Sequence, residues 1–387
     1  MQNFVFHNPT RIVFGEGTVP GVGREAARFG HKALLVTGRG SIRKNGLYDR
    51  IVASLREAGL EVVDFAGVKS NPLLSHVREG VALAKREGIE VIVAAGGGSV
   101  LDEAKAIAAG ALADEDVWDF FIDKAKVQAA LPLVTVLTLA ATGSEMNSGG
   151  VVTNEETQQK FNIGSPHLFP RVSILDPTVT ITVPADYTAY SAIDAICHLV
   201  EGYFTASDPL TPLQDRLVEG LVKTIIESTD RILADPADYQ GRATMMWAAT
   251  LALNGLAPAG IGPCGFPNHM IEHSLSALYD IPHGAGLGII LPGWLRYAAA
   301  RKPEKIARFG REVFGIGASL PEVAAREGIA ALKGWFAKIG SPTTLADAGI
   351  DAAQIGRIAE NATMLARKWR LDEYSREVIA EVLEHCR

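Results

Sequence analysis

Cysteine is scarce: Cys197, Cys264 and Cys386 are the only three. An odd number at wide spacing is no disulfide framework and suits a reducing compartment, so a cytoplasmic location is expected. The sequence contains no unbroken apolar run of about eighteen residues, which excludes a membrane-spanning helix. Its opening stretch, MQNFVFHNPTRIVFGEG, lacks a charged leader, an apolar core and a small-residue cleavage site. Lys and Arg form no block and the net charge is -7, so the concentrated positive charge that a phosphate backbone demands is missing and nucleic acid is excluded as a partner. Low-complexity segments are absent too. With 48% hydrophobic against 21% charged residues, the composition lies outside the disordered regime, and the chain is expected to fold throughout.

At 387 residues the chain is long enough to split into two domains. The first half alternates short apolar runs with amphipathic stretches: KALLVTG, YDRIVASLREAG, EVVDFAG, LSHVREGVALAKREG, VIVAAGGGS, VLDEAKAIAAG. This βαβα rhythm predicts a parallel sheet covered by helices, with further strands at LPLVTVLTLA and RVSILDP. Beyond Pro184 nearly every window has helical periodicity. The expected organisation is a Rossmann-like α/β nucleotide-binding domain over 1–184 and an all-α domain over 185–387.

Gly96, Gly97, Gly98 and Ser99 end an apolar strand and open a helix at once. Such a turn lets backbone approach a ligand closely, and the N–H groups of the next helical turn suit a phosphate. A plain tight turn is the ordinary explanation, and Asp102 in the first helical turn reads equally as a cap or a ligand contact. The run is neither a G-x-G-x-x-G fingerprint nor a P-loop. At the end of the first long strand stand Gly38, Arg39 and Ser41, with no carboxylate between Leu34 and Lys44. An acidic residue there would bind the ribose hydroxyl of NAD; Arg with small neighbours favours NADP, with NAD left open. Thr138 and Thr142 follow another apolar strand and can complete the cradle, although hydroxyls after a strand also cap helices.

Histidine is uncommon, nine in all, yet His269, His273 and His283 crowd into HMIEHSLSALYDIPHG. His269 and His273 are four apart, as are Asp194 and His198 in YSAIDAICHLVEGYF. In a helix that spacing puts both side chains on one face, where they can converge on one ion. A single histidine on an apolar helix is more often a hydrogen-bonded core residue; two such pairs and a further histidine point to a metal. Spacing does not decide which of the five would bind. Cys197 and Cys264 read as buried thiols. Nitrogen donors with one carboxylate suit Fe(II), Zn(II), Co(II) or Ni(II).

Taken in order along the chain, HNPTRIVFGEG, GGGSVLDEAK, ATGSE, LDP, AIDAICHLVEGY and the histidine pattern resemble the iron-containing (group III) alcohol dehydrogenase family over almost the whole length. The resemblance implies the fold shared by those enzymes and dehydroquinate synthase, a homodimer through the N-terminal strands, and one divalent metal, Fe(II) or Zn(II). It assigns the metal to Asp194, His198, His269 and His283, and proton handling near the nicotinamide to His273. It places Gly96 to Ser99 at the pyrophosphate and Asn71, Thr138, Thr142 and Lys160 at the cofactor. Two departures stand out. Gly38 occupies a position where NAD-preferring members often carry Asp, and LTLAAT replaces the usual Thr-Thr-x-Gly-Thr turn, as in the butanol dehydrogenase and aldehyde reductase branch, which commonly uses NADPH.

The expected reaction is reversible hydride transfer between nicotinamide C4 and a small primary alcohol or aldehyde, the metal polarising the substrate oxygen. The alternative is a metal-dependent lyase resembling dehydroquinate synthase. Its phosphate-bearing substrate would demand Lys and Arg near the metal motifs, and residues 254 to 295 contain none.

Overall fold

The computed structural model describes residues 1–387, which divide into two compact units. One comprises His7–Val183 with Pro236–Asn254, the other Met1–Phe6, Pro184–Asp235 and Gly255–Arg387.

The first unit holds all eight strands: β1 (Arg11–Phe14), β2 (Lys32–Gly38), β3 (Glu61–Val68), β4 (Val91–Gly97), β5 (Leu133–Leu139), β6 (Gly149–Asn154), β7 (Gln159–Gly164) and β8 (Val172–Leu175). Six form a wholly parallel sheet in the order β1-β8-β5-β4-β2-β3, while β6 and β7 pair as an antiparallel hairpin. Between the strands run α1 (Val22–Ala26), α2 (Ser41–Lys44), α3 (Leu47–Glu57), α4 (Leu74–Glu87), α5 (Gly98–Ala111) and α6 (Trp118–Phe121).

Central strands β2 and β4 are buried through Ala33–Val36 and Val91–Ala95, which is why they read as unbroken apolar runs and not as alternating ones. Helix α3 sets Leu47, Ile51 and Leu55 at helical spacing into the same core cluster as Leu35, Val91 and Val93. Each such side chain contributes about 1.5–3 kcal/mol of burial. Helix α4 stops at Gly88, whose φ of 62 is the left-handed value that glycine adopts without strain. From there the chain turns directly into β4.

The chain leaves β2 toward β3 and β4 toward β5, in opposite directions along the sheet. The carboxyl ends of β2 and β4 therefore flank the point at which strand order reverses, where open α/β sheets bind ligands.

Helices α7 (Ala185–Thr205) and α8 (Pro212–Ala234) begin the second unit, and α9 (Tyr239–Ala252) returns to the first. The second unit then continues with α10 (Pro267–Tyr279), α11 (His283–Ala299), α12 (Pro303–Phe314), α13 (Pro321–Lys338), α14 (Ile355–Lys368) and α15 (Arg376–Glu384). It contains no strand. No helix is long and apolar enough to cross a membrane. The parallel α/β sheet and the helical second half match expectation; the apolar runs do not point to β1, which only the N-terminal strands implied by the resemblance foreshadow, or to the β6–β7 hairpin.

Candidate metal centre and cofactor edge

In the helical unit α7 carries Asp194 and His198, and α10 carries His269 and His273. Pro267 opens α10 at a position where its missing N–H costs nothing, and Asp280, at φ 52, ends it. Three residues later His283 begins α11. A Cβ on Gly284 would lie 2.1 Å from the carbonyl oxygen of Tyr190. Glycine there lets α11 approach α7 closely, and His283 arrives beside Asp194.

Asp194 Oδ1 is the centre of the group. It lies 3.5 Å from His198 Nδ1, 3.6 Å from His269 Nε2 and 3.7 Å from His283 Nε2. Asp194 Oδ1, His198 Nδ1 and His269 Nε2 are buried and have no hydrogen-bond partner. Leaving a buried polar atom unpaired costs about 1–3 kcal/mol, so three aimed at one another require an explanation. Two donors each about 2.0–2.2 Å from a tetrahedral ion stand about 3.4 Å apart. The observed separations suit donors to a shared cation, and the donor set of imidazoles with one carboxylate suits a divalent transition metal.

The groups are strongly coupled through their charges. Burial alone would raise the Asp194 carboxyl, but His198, His283 and His269 hold it well below the usual carboxylate range. Burial drives His198 down to about 3. At His269 burial pulls the same way, yet Asp194 and Glu201 outweigh it and raise the group to about 9. Cys197, next to His198, is buried and its thiol is pushed well up by burial.

His273 is buried on α10, its ring 5.6 Å from that of His283 and 5.6 Å, edge to face, from Trp369. Phe266 stands 5.7 Å from His269. Two carboxylates not singled out from the sequence lie behind the histidines. Glu201 Oε1 is 3.0 Å from His269 Nδ1, and Glu272 Oε2 bonds His283 Nδ1. A signal for both existed. Glu201 falls three residues after His198 and Glu272 three after His269, on the faces that carry the histidines.

In the sheet unit, register aligns the ends of β2, β4 and β5: Thr37 pairs with Ala95, and Gly97 with Leu139. The turns bearing Gly38, Arg39 and Ser41, Gly96 to Ser99, and Thr138 and Thr142 thus share one sheet edge. Gly97 caps α5 at φ -81, an ordinary value. Close packing explains the glycines instead: a Cβ on Gly98 would lie 2.3 Å from the Thr142 side chain, and one on Gly96 2.4 Å from Val100. Arg39 and Ser41 are exposed. Hairpin residue Lys160 donates from Nζ to Asn71 Oδ1 at 3.0 Å, both residues being buried. Asp102 bonds protein on both oxygens, accepting from Ser144 Oγ at 2.6 Å and Val151 N at 3.1 Å.

A family model described as iron-containing alcohol dehydrogenase matches residues 9–177, and its C-terminal counterpart matches residues 188–386. The chain belongs to the iron-containing alcohol dehydrogenase family. It is 42% identical, over 99% of both chains, to a probable NADH-dependent butanol dehydrogenase of Bacillus subtilis. It is 37% identical to the NADPH-dependent aldehyde reductase YqhD of Escherichia coli, over 92% of this chain and 91% of that one. The crystal structure of NADH-dependent butanol dehydrogenase A from Thermotoga maritima superposes with a TM-score of 0.95 at 45% identity, covering 100% of this chain and 99% of that one.

Membership in this alcohol dehydrogenase family makes the chain a metal-dependent oxidoreductase of the butanol dehydrogenase and aldehyde reductase branch, with a nicotinamide cofactor. The comparisons do not support the lyase alternative.

Proposed function

We propose that this alcohol dehydrogenase interconverts small primary alcohols and aldehydes with NADP, and that Asp194, His198, His269 and His283 hold one divalent ion, Fe(II) or Zn(II). The observation that carries the reading is the convergence of buried, unpartnered donor atoms on Asp194 Oδ1. When bound, the ion supplies Lewis acidity at the substrate oxygen and the nicotinamide gives or takes a hydride.

The side chains do the remaining work. In the oxidative direction a ring nitrogen of His273 takes the hydroxyl proton, and in the reductive direction it returns one. Phe266 and Trp369 flank the histidines with aromatic surface. No Lys or Arg occurs between residues 254 and 295, which favours a short, uncharged substrate over a phosphorylated one.

For the cofactor, Gly96 to Ser99 suit the pyrophosphate, while Asn71, Asp102, Thr138, Thr142 and Lys160 complete its edge. Gly38, Arg39 and Ser41 favour NADP because no carboxylate opposes a 2'-phosphate there. A second reading, NAD, is favoured by the NADH named for the Bacillus and Thermotoga relatives. The proposal includes a homodimer through the N-terminal strands: β1 is an edge strand of the sheet, and Phe14 is 41% exposed. It also includes a cytoplasmic setting, consistent with three free cysteines.

Protein purified without chelator is expected to contain about one Fe or Zn per chain by elemental analysis and to oxidise NADPH with butanal at a higher kcat/KM than NADH. Metal-free protein with full activity would refute the metal assignment, and a preference for NADH would refute the NADP assignment alone.

A further inference from the structure

Glu201 on α7 and Glu272 on α10 are fully buried. A buried carboxylate is costly unless paired, and both are bonded along their length. Glu201 Oε1 accepts from the His269 backbone N–H at 2.9 Å and lies 3.0 Å from His269 Nδ1; its Oε2 accepts from Asn268 Nδ2 at 3.0 Å. Glu272 Oε1 accepts from Ser276 Oγ at 2.5 Å, and its Oε2 bonds His283 Nδ1. Each carboxylate therefore holds the Nδ1 side of one imidazole, while the Nε2 atoms of the same two rings face Asp194 Oδ1.

We propose that Glu201 and Glu272 are positioning residues that govern how tightly the centre retains its ion. This rests on the metal-site reading above. A neutral imidazole has one N–H and one lone pair, and an ionised carboxylate can only accept. Pairing Nδ1 with a carboxylate therefore puts the proton on Nδ1 and leaves the lone pair on Nε2, where a cation would be. The carboxylate also makes the imidazole a better donor. Charge works in the same direction: three buried carboxylates, Asp194, Glu201 and Glu272, lie around the donors, and a divalent ion would offset most of their negative charge. His198 has no such carboxylate behind it; its ring stacks on His269 at 4.5 Å.

Backbone has been fitted around Glu272. A Cβ on Gly286 would lie 2.6 Å from Glu272 Oε1 and 2.8 Å from its Cγ. Glycine in α11 thus leaves room for the carboxylate that holds the first residue of the same helix.

The test is titration of chelator-stripped protein with Co(II), read by its visible ligand-field absorption and by competition with a chelator. Glu201→Gln and Glu272→Gln keep the size but place an amide that can donate to Nδ1, which permits the proton on Nε2. Each is expected to raise the Co(II) Kd by about 10- to 100-fold and to alter the absorption spectrum. Ser276→Ala keeps the carboxylate and removes one donor to it, and is expected to fold and to raise the Kd by several-fold. Wild-type Kd and spectrum in the Gln variants overturn the proposal, even if their metal-free melting temperatures fall, because that is the signature of a purely structural role. Should Glu272→Gln not fold, wild-type Co(II) affinity in Ser276→Ala overturns the role of Glu272, and should Glu201→Gln not fold, wild-type affinity in Asn268→Ala, which removes a donor to Glu201 Oε2, overturns that of Glu201. His269→Ala in the same titration separates the two readings: if it binds Co(II) like wild type, the metal site itself is wrong.

Discussion

The candidate metal centre and the proposed cofactor edge both bury carboxylates, and they treat them in opposite ways. At the centre, His198, His283 and His269 hold Asp194 well below the usual carboxylate range against the pull of burial. Near the edge, burial raises Asp102 and Glu145, and Asp102 spends both oxygens on Ser144 and Val151. Lys105 is fully buried and lowered by burial to about 8; its Nζ donates to Asn147 Oδ1 and to the carbonyls of Asn147 and Gly149. One region keeps its carboxylate among histidines, as the proposed cation site requires, while the other ties its carboxylate into the scaffold of a loop. Unpartnered buried atoms occur in both, but those of Thr37, Glu103, Glu145 and Thr153 do not gather around one atom as the donors around Asp194 do. Convergence singles out the candidate site, and a lone orphan does not.

The contrast is broken most directly at its centre. His269→Ala is expected to lower metal affinity well beyond the ~100-fold that an outer hydrogen-bond partner commands, and elemental analysis after gel filtration should find the variant empty. His273→Ala, by comparison, should retain its metal while kcat falls about 10²- to 10⁴-fold, the range for a proton-transfer group; loss of metal in this variant would make His273 a ligand. At the edge, Gly98→Ala forces Thr142 to move, with an overpacking cost of about 1–3 kcal/mol. Its expected signature is a higher cofactor KM with unchanged metal content, and an unchanged KM would detach this turn from the cofactor.

A histidine–carboxylate pair in the sheet unit supplies the smallest test. His76 Nδ1 lies 2.5 Å from Glu103 Oε1, with Phe65 stacked on the imidazole. The hydrogen bond to Glu103, above all, raises His76 from its usual 6.5; burial opposes it, and Glu79 adds to the rise. A group raised on folding stabilises fully below its unfolded value and loses that contribution as pH rises through its folded one. The melting-temperature deficit of His76→Leu should therefore be a few degrees larger at pH 6 than at pH 9. An equal deficit at both would show that the pair contributes packing alone.

Much of this was legible in sequence because the periodicities are strong. Short β-branched runs such as Val91–Ala95, bounded by glycine, fit strands covered on both faces, and the Asp194–His198 and His269–His273 spacings put donors on single helix faces. The parts that escaped depend on contacts distant in sequence. Strand β1 has four residues, too few to show alternation, and exists by pairing with β8. The hairpin reads as a polar turn rich in Thr, Asn, Glu and Gln, and takes its place through Thr153 bonding Pro72 and Lys160 bonding Asn71. Glu201 and Glu272 escaped because a glutamate on a helix is ordinarily solvated. Their spacing from His198 and His269 hints at histidine neighbours, but only the fold shows that the imidazoles they bond are those of His269 and His283.

Helix α9 belongs with the sheet although it lies between segments of the helical unit. Thr250 on this helix donates to Glu145 Oε1 at 2.6 Å, and the other oxygen of Glu145 has no partner. A fragment ending at Val183 would lose that donor, and the complementary fragment would carry a helix stripped of its neighbours. The two units are thus compact in space without being modular in the gene. Exchanging either with a relative by a single crossover would leave a foreign helix against the Glu145 turn, so productive recombination in this family should require paired breakpoints flanking Pro236–Asn254.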